Sequence, residues 1–164
     1  MRQKAYSLRV DILNTVYRAR AGHIGGDFSV IDILCVLYER HLNVSPQNFS
    51  APGHDRLILS KGHSVEALYA VLVSRGFFPK GDLDTVSAFG SDYIGHPSNK
   101  VPGIEMCTGS LGHGLSLGCG MALAARMDGA GFRTFVVMGD GELVVIYLLP
   151  SFMILYHQPS IKKL

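Results

Sequence analysis

The sequence contains no tryptophan and only three cysteines, Cys35, Cys107 and Cys119, which are widely spaced with no Cys-x-x-Cys pair. Such spacing argues against a disulfide framework and a cysteine metal centre, and the three are expected as reduced thiols of a cytoplasmic protein. Charge is also scarce, with 17% of residues charged and a formal net charge of +2. No Lys/Arg stripe is present, so nothing points to a nucleic-acid partner. The apolar stretch 144–156 is interrupted by Pro150 and is shorter than the ~20 residues a membrane span needs. The opening Met-Arg-Gln-Lys-Ala-Tyr lacks the apolar centre of a signal peptide. No histidines stand at His-x-x-x-His or His-Glu-x-x-His spacing, which argues against a zinc protein.

What is present fits one α/β domain. A chain of 164 residues with 48% hydrophobic residues can bury a core. It is apolar for a soluble monomer, so burial against a partner is expected. Leu8, Ile12 and Val16 fall on one face of a helix over 5–20. Glycines at 22, 25 and 26 predict a loop, after which Ser29 can cap a second helix running to about His41. A loop over 43–54, a buried strand over 55–60 and a helix over 64–74 follow. A short helix is expected over 82–89, starting at an acidic cap, then an irregular stretch over 93–107. A helix rich in small residues over 115–127 precedes a second buried strand over 132–138. Strands separated by helices imply a parallel sheet with helices on its faces, and a helix-rich fold.

The chemistry concentrates in two segments, Thr-Gly-Ser-Leu-Gly-His-Gly over 108–114 and Met-Gly-Asp-Gly-Glu over 138–142. In the second, a hydrophobic strand delivers Asp140 to a sheet edge between two glycines. A carboxylate there can hold a divalent cation, and the cation a diphosphate. Four histidines, His23, His63, His96 and His113, sit beside glycine in predicted turns, whereas His41, His54 and His157 read as structural. Imidazoles in such turns can donate to phosphate or sugar hydroxyls and relay protons near neutral pH. A nicotinamide site over 112–118 is the weaker reading, because the third glycine falls one place late and no clear strand precedes it.

These motifs resemble, in order and spacing, the N-terminal diphosphate-binding part of transketolase. The likeness is carried by Gly22-His23, by Asp-Arg-Leu-Ile-Leu-Ser-Lys-Gly-His over 55–63 and by Gly-His-Pro over 95–97, together with the two segments above. Its form is most like the N-terminal subunit of a split bacterial transketolase. The resemblance implies a three-layer thiamine diphosphate-binding fold with a parallel sheet, using thiamine diphosphate and Mg²⁺ or Ca²⁺. It implies that Asp140 binds the metal and that Gly141 approaches the phosphate through its backbone. His63 would meet the diphosphate, and Gly109 and Leu111 the aminopyrimidine. His23 and His96 would line the channel for sugar phosphates, with His113 beside Leu111. The cofactor would then carry a two-carbon unit from a ketose to an aldose.

The resemblance runs through Leu143 and then stops. Where the family has an acidic residue this chain has Val145, and no asparagine follows Asn99 to complete the metal site. Residues 1–143 are therefore read as the N-terminal part of the cofactor domain, incomplete at its C-terminal side, and 144–164 as a divergent hydrophobic tail. A frameshift or early stop is the expected origin of the tail, with a genuine diverged segment as the alternative. A separate C-terminal subunit is expected to supply the pyrimidine-binding domain, and exposed apolar sheet surface to favour an oligomer. The rival reading is a non-catalytic remnant or interaction module without a complete cofactor site.

Overall fold

The structure, a computed structural model, describes residues 2–146. Its order is α1 (Arg2–Ala19), α2 (Ile24–Val36), β1 (Arg56–Leu59), α3 (Val65–Ser74), α4 (His113–Met127), β2 (Thr134–Val137) and α5 (Glu142–Ile146). A π-helical turn, Leu37–His41, extends α2, and 3₁₀ turns occupy Gly62–Ser64 and Lys80–Thr85.

β1 and β2 pair in parallel with Arg56 opposite Thr134 and Leu59 opposite Val137. Alternation along each strand then sorts the side chains onto two faces. Leu57, Leu59, Phe135 and Val137 join the core built by α1, α2 and α3. Ile58, Thr134 and Val136 turn the other way, toward Gly118 of α4. The result is the expected three layers, with two parallel strands between helices among the described residues.

The helix pattern explains the packing. Ala5, Leu8, Ile12 and Thr15 form the buried stripe of α1, at spacings of three and four. Every residue from Val65 to Leu72 is buried, so α3 is the central helix. At the N-terminal ends of the strands, the buried Asp55 carboxylate accepts from the backbone N–H of Asn43 (2.9 Å) and of Arg133 (2.8 Å), and from the Arg133 guanidinium (2.6 Å). Burial alone would raise the Asp55 carboxyl, but these donors outweigh it and hold it below the usual carboxylate range. The strand starts are thereby fixed to the loop before them.

Three expectations need correction. The glycine loop before the second helix is shorter than predicted, because α2 starts at Ile24 and takes Gly25 and Gly26 into its first turn. The cause is packing: a Cβ on Gly26 would lie 2.6 Å from Ser64 Oγ, so only glycine lets α2 approach that turn. Ser29 is therefore inside the helix, and His23 occupies the N-cap position without a side-chain capping bond. The short helix expected over 82–89 is a 3₁₀ helix that starts two residues early and stops at Thr85. The 3₁₀ turn Lys80–Thr85 opens after Pro79, and Asp82 accepts instead from Tyr93 Oη at 2.6 Å. Finally, α4 begins at His113, two residues early, because Gly112 takes φ +83° and reverses the chain into it. The predicted tail lies outside the described residues from 147 onward.

Candidate active site

Parallel pairing puts the C-terminal ends of β1 and β2 side by side, with Ser60 N–H donating to Val137 C=O at 2.8 Å. Open α/β sheets bind ligands at this edge. From β1 leads Ser-Lys-Gly-His over 60–63, and from β2 leads Gly-Asp-Gly-Glu over 139–142. The 108–114 segment docks onto the first of these. Thr108 Oγ1 donates to Leu59 C=O at 2.7 Å, and a Cβ on Gly62 would lie 2.9 Å from Thr108 Oγ1 and 3.0 Å from Gly109 N.

Three of the four predicted histidines gather here. The His23 and His63 rings meet edge to face with centroids 5.2 Å apart. The His96 ring lies against Gly109, whose absent Cβ would sit 3.0 Å from its Cδ2. Burial, followed by the nearby charges of His23 and Lys61, pushes the His63 imidazole below the ordinary histidine value. His63 is half-buried, whereas His23 and His96 are exposed. His113 lines an apolar recess with Cys107, Thr108, Gly109, Ser110, Ser116 and Leu117, which shares Gly109 with the His96 contact. Leu111 is exposed beside that recess.

Asp140 and Gly141 project from the end of β2 into open space, both exposed, with nothing within 4 Å of a Cβ on Gly141. A hard carboxylate oxygen beside bare glycine backbone suits Mg²⁺ or Ca²⁺ and a phosphate behind it. Among the described residues no group of three or more His, Cys, Asp or Glu is placed to hold a metal ion.

Four buried groups at this edge escaped the sequence reading. Glu142 is 2% exposed and accepts three hydrogen bonds, from Ser60 Oγ (2.5 Å), Gly112 N–H (2.8 Å) and Gly139 N–H (2.7 Å). Asp27 is fully buried and takes the Ala67 N–H at 3.0 Å. Its second oxygen is unpartnered, as is Glu66 Oε2. Desolvation, then the Glu66 charge, raises the Asp27 carboxyl to about 7, and desolvation also raises Glu66. Lys61 is almost buried and donates to Gly26 C=O at 3.3 Å. A signal for two of them was available: Glu66 stands alone in the apolar run 65–72, and Asp27 in the largely apolar 24–36.

A family model described as transketolase, thiamine diphosphate binding domain, matches residues 1–145. The chain belongs to the transketolase family. It is 51% identical over 134 residues to an apulose-4-phosphate transketolase subunit from Phocaeicola vulgatus, covering 82% of this chain and 48% of that protein. It is 35% identical to human transketolase, covering 87% of this chain and 23% of that protein. Among solved structures, transketolase from Campylobacter jejuni superposes with a TM-score of 0.81 at 32% identity, over 88% of this chain and 24% of the other. The chain spans about half the length of the subunit-type relatives and about a quarter of the longer transketolases it matches. Membership of the family agrees with the sequence resemblance, and so does the likeness to relatives named as subunits. No helix among the described residues is long and apolar enough to cross a membrane.

Proposed function

We propose that this chain is the diphosphate-binding N-terminal subunit of a split transketolase, active together with a separate pyrimidine-binding subunit. The observation that carries the reading is the meeting of three glycine-rich loops at one sheet edge, with His23, His63 and His96 gathered at the loops beyond β1 and Asp140 on the loop beyond its neighbour β2. Residues 1–143 are the cofactor-binding part, and 144–164 a tail outside that role.

When bound, thiamine diphosphate supplies the nucleophilic carbon that accepts a two-carbon unit. The chain's own residues do the rest. Asp140 would hold Mg²⁺ or Ca²⁺, Gly141 would offer its backbone to the phosphate, and His63 would donate to a diphosphate oxygen. Gly109 and Leu111 form the floor for the aminopyrimidine. His23 and His96, exposed at the mouth, bind donor hydroxyls and move protons during ketol transfer, with His113 at the neighbouring recess. The substrates are sugar phosphates, in keeping with the apulose-4-phosphate of the relative's name. The setting is cytoplasmic, in pentose phosphate metabolism.

A partner is supported by what the site leaves uncovered. Leu111, Leu143 and Val144 are 43%, 54% and 70% exposed around the loops. Apolar side chains beside a cofactor mouth are the surface a second subunit covers.

The test is two-carbon transfer between sugar phosphates by this chain mixed with a C-terminal subunit. The mixture is expected to turn over, and His96→Ala and His23→Ala each to lose ~10²–10⁴-fold in rate as proton-transfer groups. A mixture that binds cofactor yet transfers nothing sinks the ketol-transfer reading.

A further inference from the structure

We infer that Glu142 is a positioning residue, a buried clasp that presets the loops before any ligand arrives; this rests on the cofactor reading above. The geometry is specific. One oxygen, Oε1, takes Ser60 Oγ at 2.5 Å and Gly112 N–H at 2.8 Å, and the other, Oε2, takes Gly139 N–H at 2.7 Å. Ser60 ends β1, Gly112 ends the 108–114 loop, and Gly139 begins the turn that carries Asp140. A single carboxylate thus joins three segments far apart in sequence.

Each of those bonds has a reason to matter. Gly112 and Gly139 lie next to chain reversals, where backbone N–H groups lack a helix or sheet partner. Glu142 is almost wholly buried, so water does not compete for these donors. Hydrogen bonds to a charged acceptor are roughly twice as strong as neutral ones. Holding both loops in one arrangement removes the ordering cost that the cofactor would otherwise meet on binding. Glu142 is almost wholly buried, with both oxygens turned to protein donors. Its side chain faces Ser60 and Gly112, behind the turn that presents Asp140.

The two oxygens divide the work, which makes the clasp separable. In Glu142→Gln the carbonyl can keep Ser60 and Gly112, but the amide then points a donor at the Gly139 donor. Glu142→Ala removes all three bonds.

The experiment is amide hydrogen exchange by mass spectrometry on the full chain, with a titration of Mg²⁺–thiamine diphosphate in the presence of the C-terminal subunit. In Glu142→Ala, exchange is expected to rise at least ~10-fold at both 108–114 and 138–142, with the segment around Asp55 and Arg133 unchanged. In Glu142→Gln the rise is expected at 138–142 alone. Cofactor affinity is expected to fall ~10-fold for Gln and ~100-fold for Ala, in step with the bonds lost.

Unchanged exchange in both segments overturns the clasp, as does a rise spread across the whole domain, which marks general destabilisation. Should Glu142→Ala not fold, Gln decides alone, by whether its opening is confined to 138–142. If the wild-type mixture binds no cofactor while exchange follows the expected pattern, the clasp stands and the cofactor reading fails.

Discussion

Gly114→Val is expected to unfold the domain or to cost it more than ~3 kcal/mol, measured by urea unfolding. A Cβ at Gly114 would lie 2.4 Å from Ser60 Cβ, 2.5 Å from its Oγ and 2.7 Å from its Cα. Two of those atoms are fixed to the end of β1, so no side-chain rotation relieves the clash. Helix α4 would have to lift off the sheet, and overpacking of this kind costs ~1–3 kcal/mol even where the surroundings can adjust. Lifting α4 also uncovers Ile58 and Val136 and pulls Gly112 from Glu142. Gly120 in the same helix is the contrast, because a Cβ there meets nothing within 4 Å. Gly120→Ala is expected to stabilise by up to ~1 kcal/mol through helix propensity alone. A Gly114→Val chain within ~1 kcal/mol of wild type would refute the close seating of α4 on β1.

The second large effect is on pH. Asp27 carries a carboxyl raised to about 7 in the folded chain, against 3.8 when unperturbed. Between these values the folded state holds a proton that the unfolded state has released, so stability falls as pH rises, by up to ~1.4 kcal/mol per unit. The loss is complete above the folded value. Glu66 shifts in the same direction and steepens the fall. The groups acting on Asp27 are Glu66, which raises it, and the Ala67 N–H, His23 and Lys61, which lower it. His63 opposes the trend: with its imidazole lowered, its contribution is lost as pH falls through and below the ordinary histidine value. Comparing Asp27→Asn with wild type cancels that term, since the amide can still accept from Ala67. The two chains are expected to be alike near pH 4. By pH 8 the variant should be more stable by a few kcal/mol, seen as a thermal midpoint several degrees higher. A constant difference across this range would show that Asp27 does not bury its proton.

The strands were legible because hydrophobic runs bounded by polar turns are local signals. The expected 55–60 and 132–138 are trimmed to Arg56–Leu59 and Thr134–Val137 without moving. The crowding at one edge was also legible, because glycine stands beside histidine at 22–23, 62–63 and 95–96, whose rings gather there. What local patterns could not show was the use of buried carboxylates. Pattern reading sends Asp27, Glu66 and Glu142 to solvent, whereas the fold seats them against backbone donors and in an apolar interior. For Asp27 and Glu142 such donors lie far off in the chain, at Ala67 and Gly112. The early start of α2 has the same origin. Glycine breaks helices in isolation, yet at Gly26 the contact with Ser64 repays its propensity cost.

In the proposed function, the edge holding Asp140, His63 and Gly109 is a floor for thiamine diphosphate. Isothermal calorimetry of Mg²⁺–thiamine diphosphate with this chain and its C-terminal subunit tests it most directly. Saturable binding in the micromolar range is expected, dependent on the divalent ion and lost in Asp140→Ala. Equal heats with and without Mg²⁺, or unchanged binding in Asp140→Ala, would contradict it.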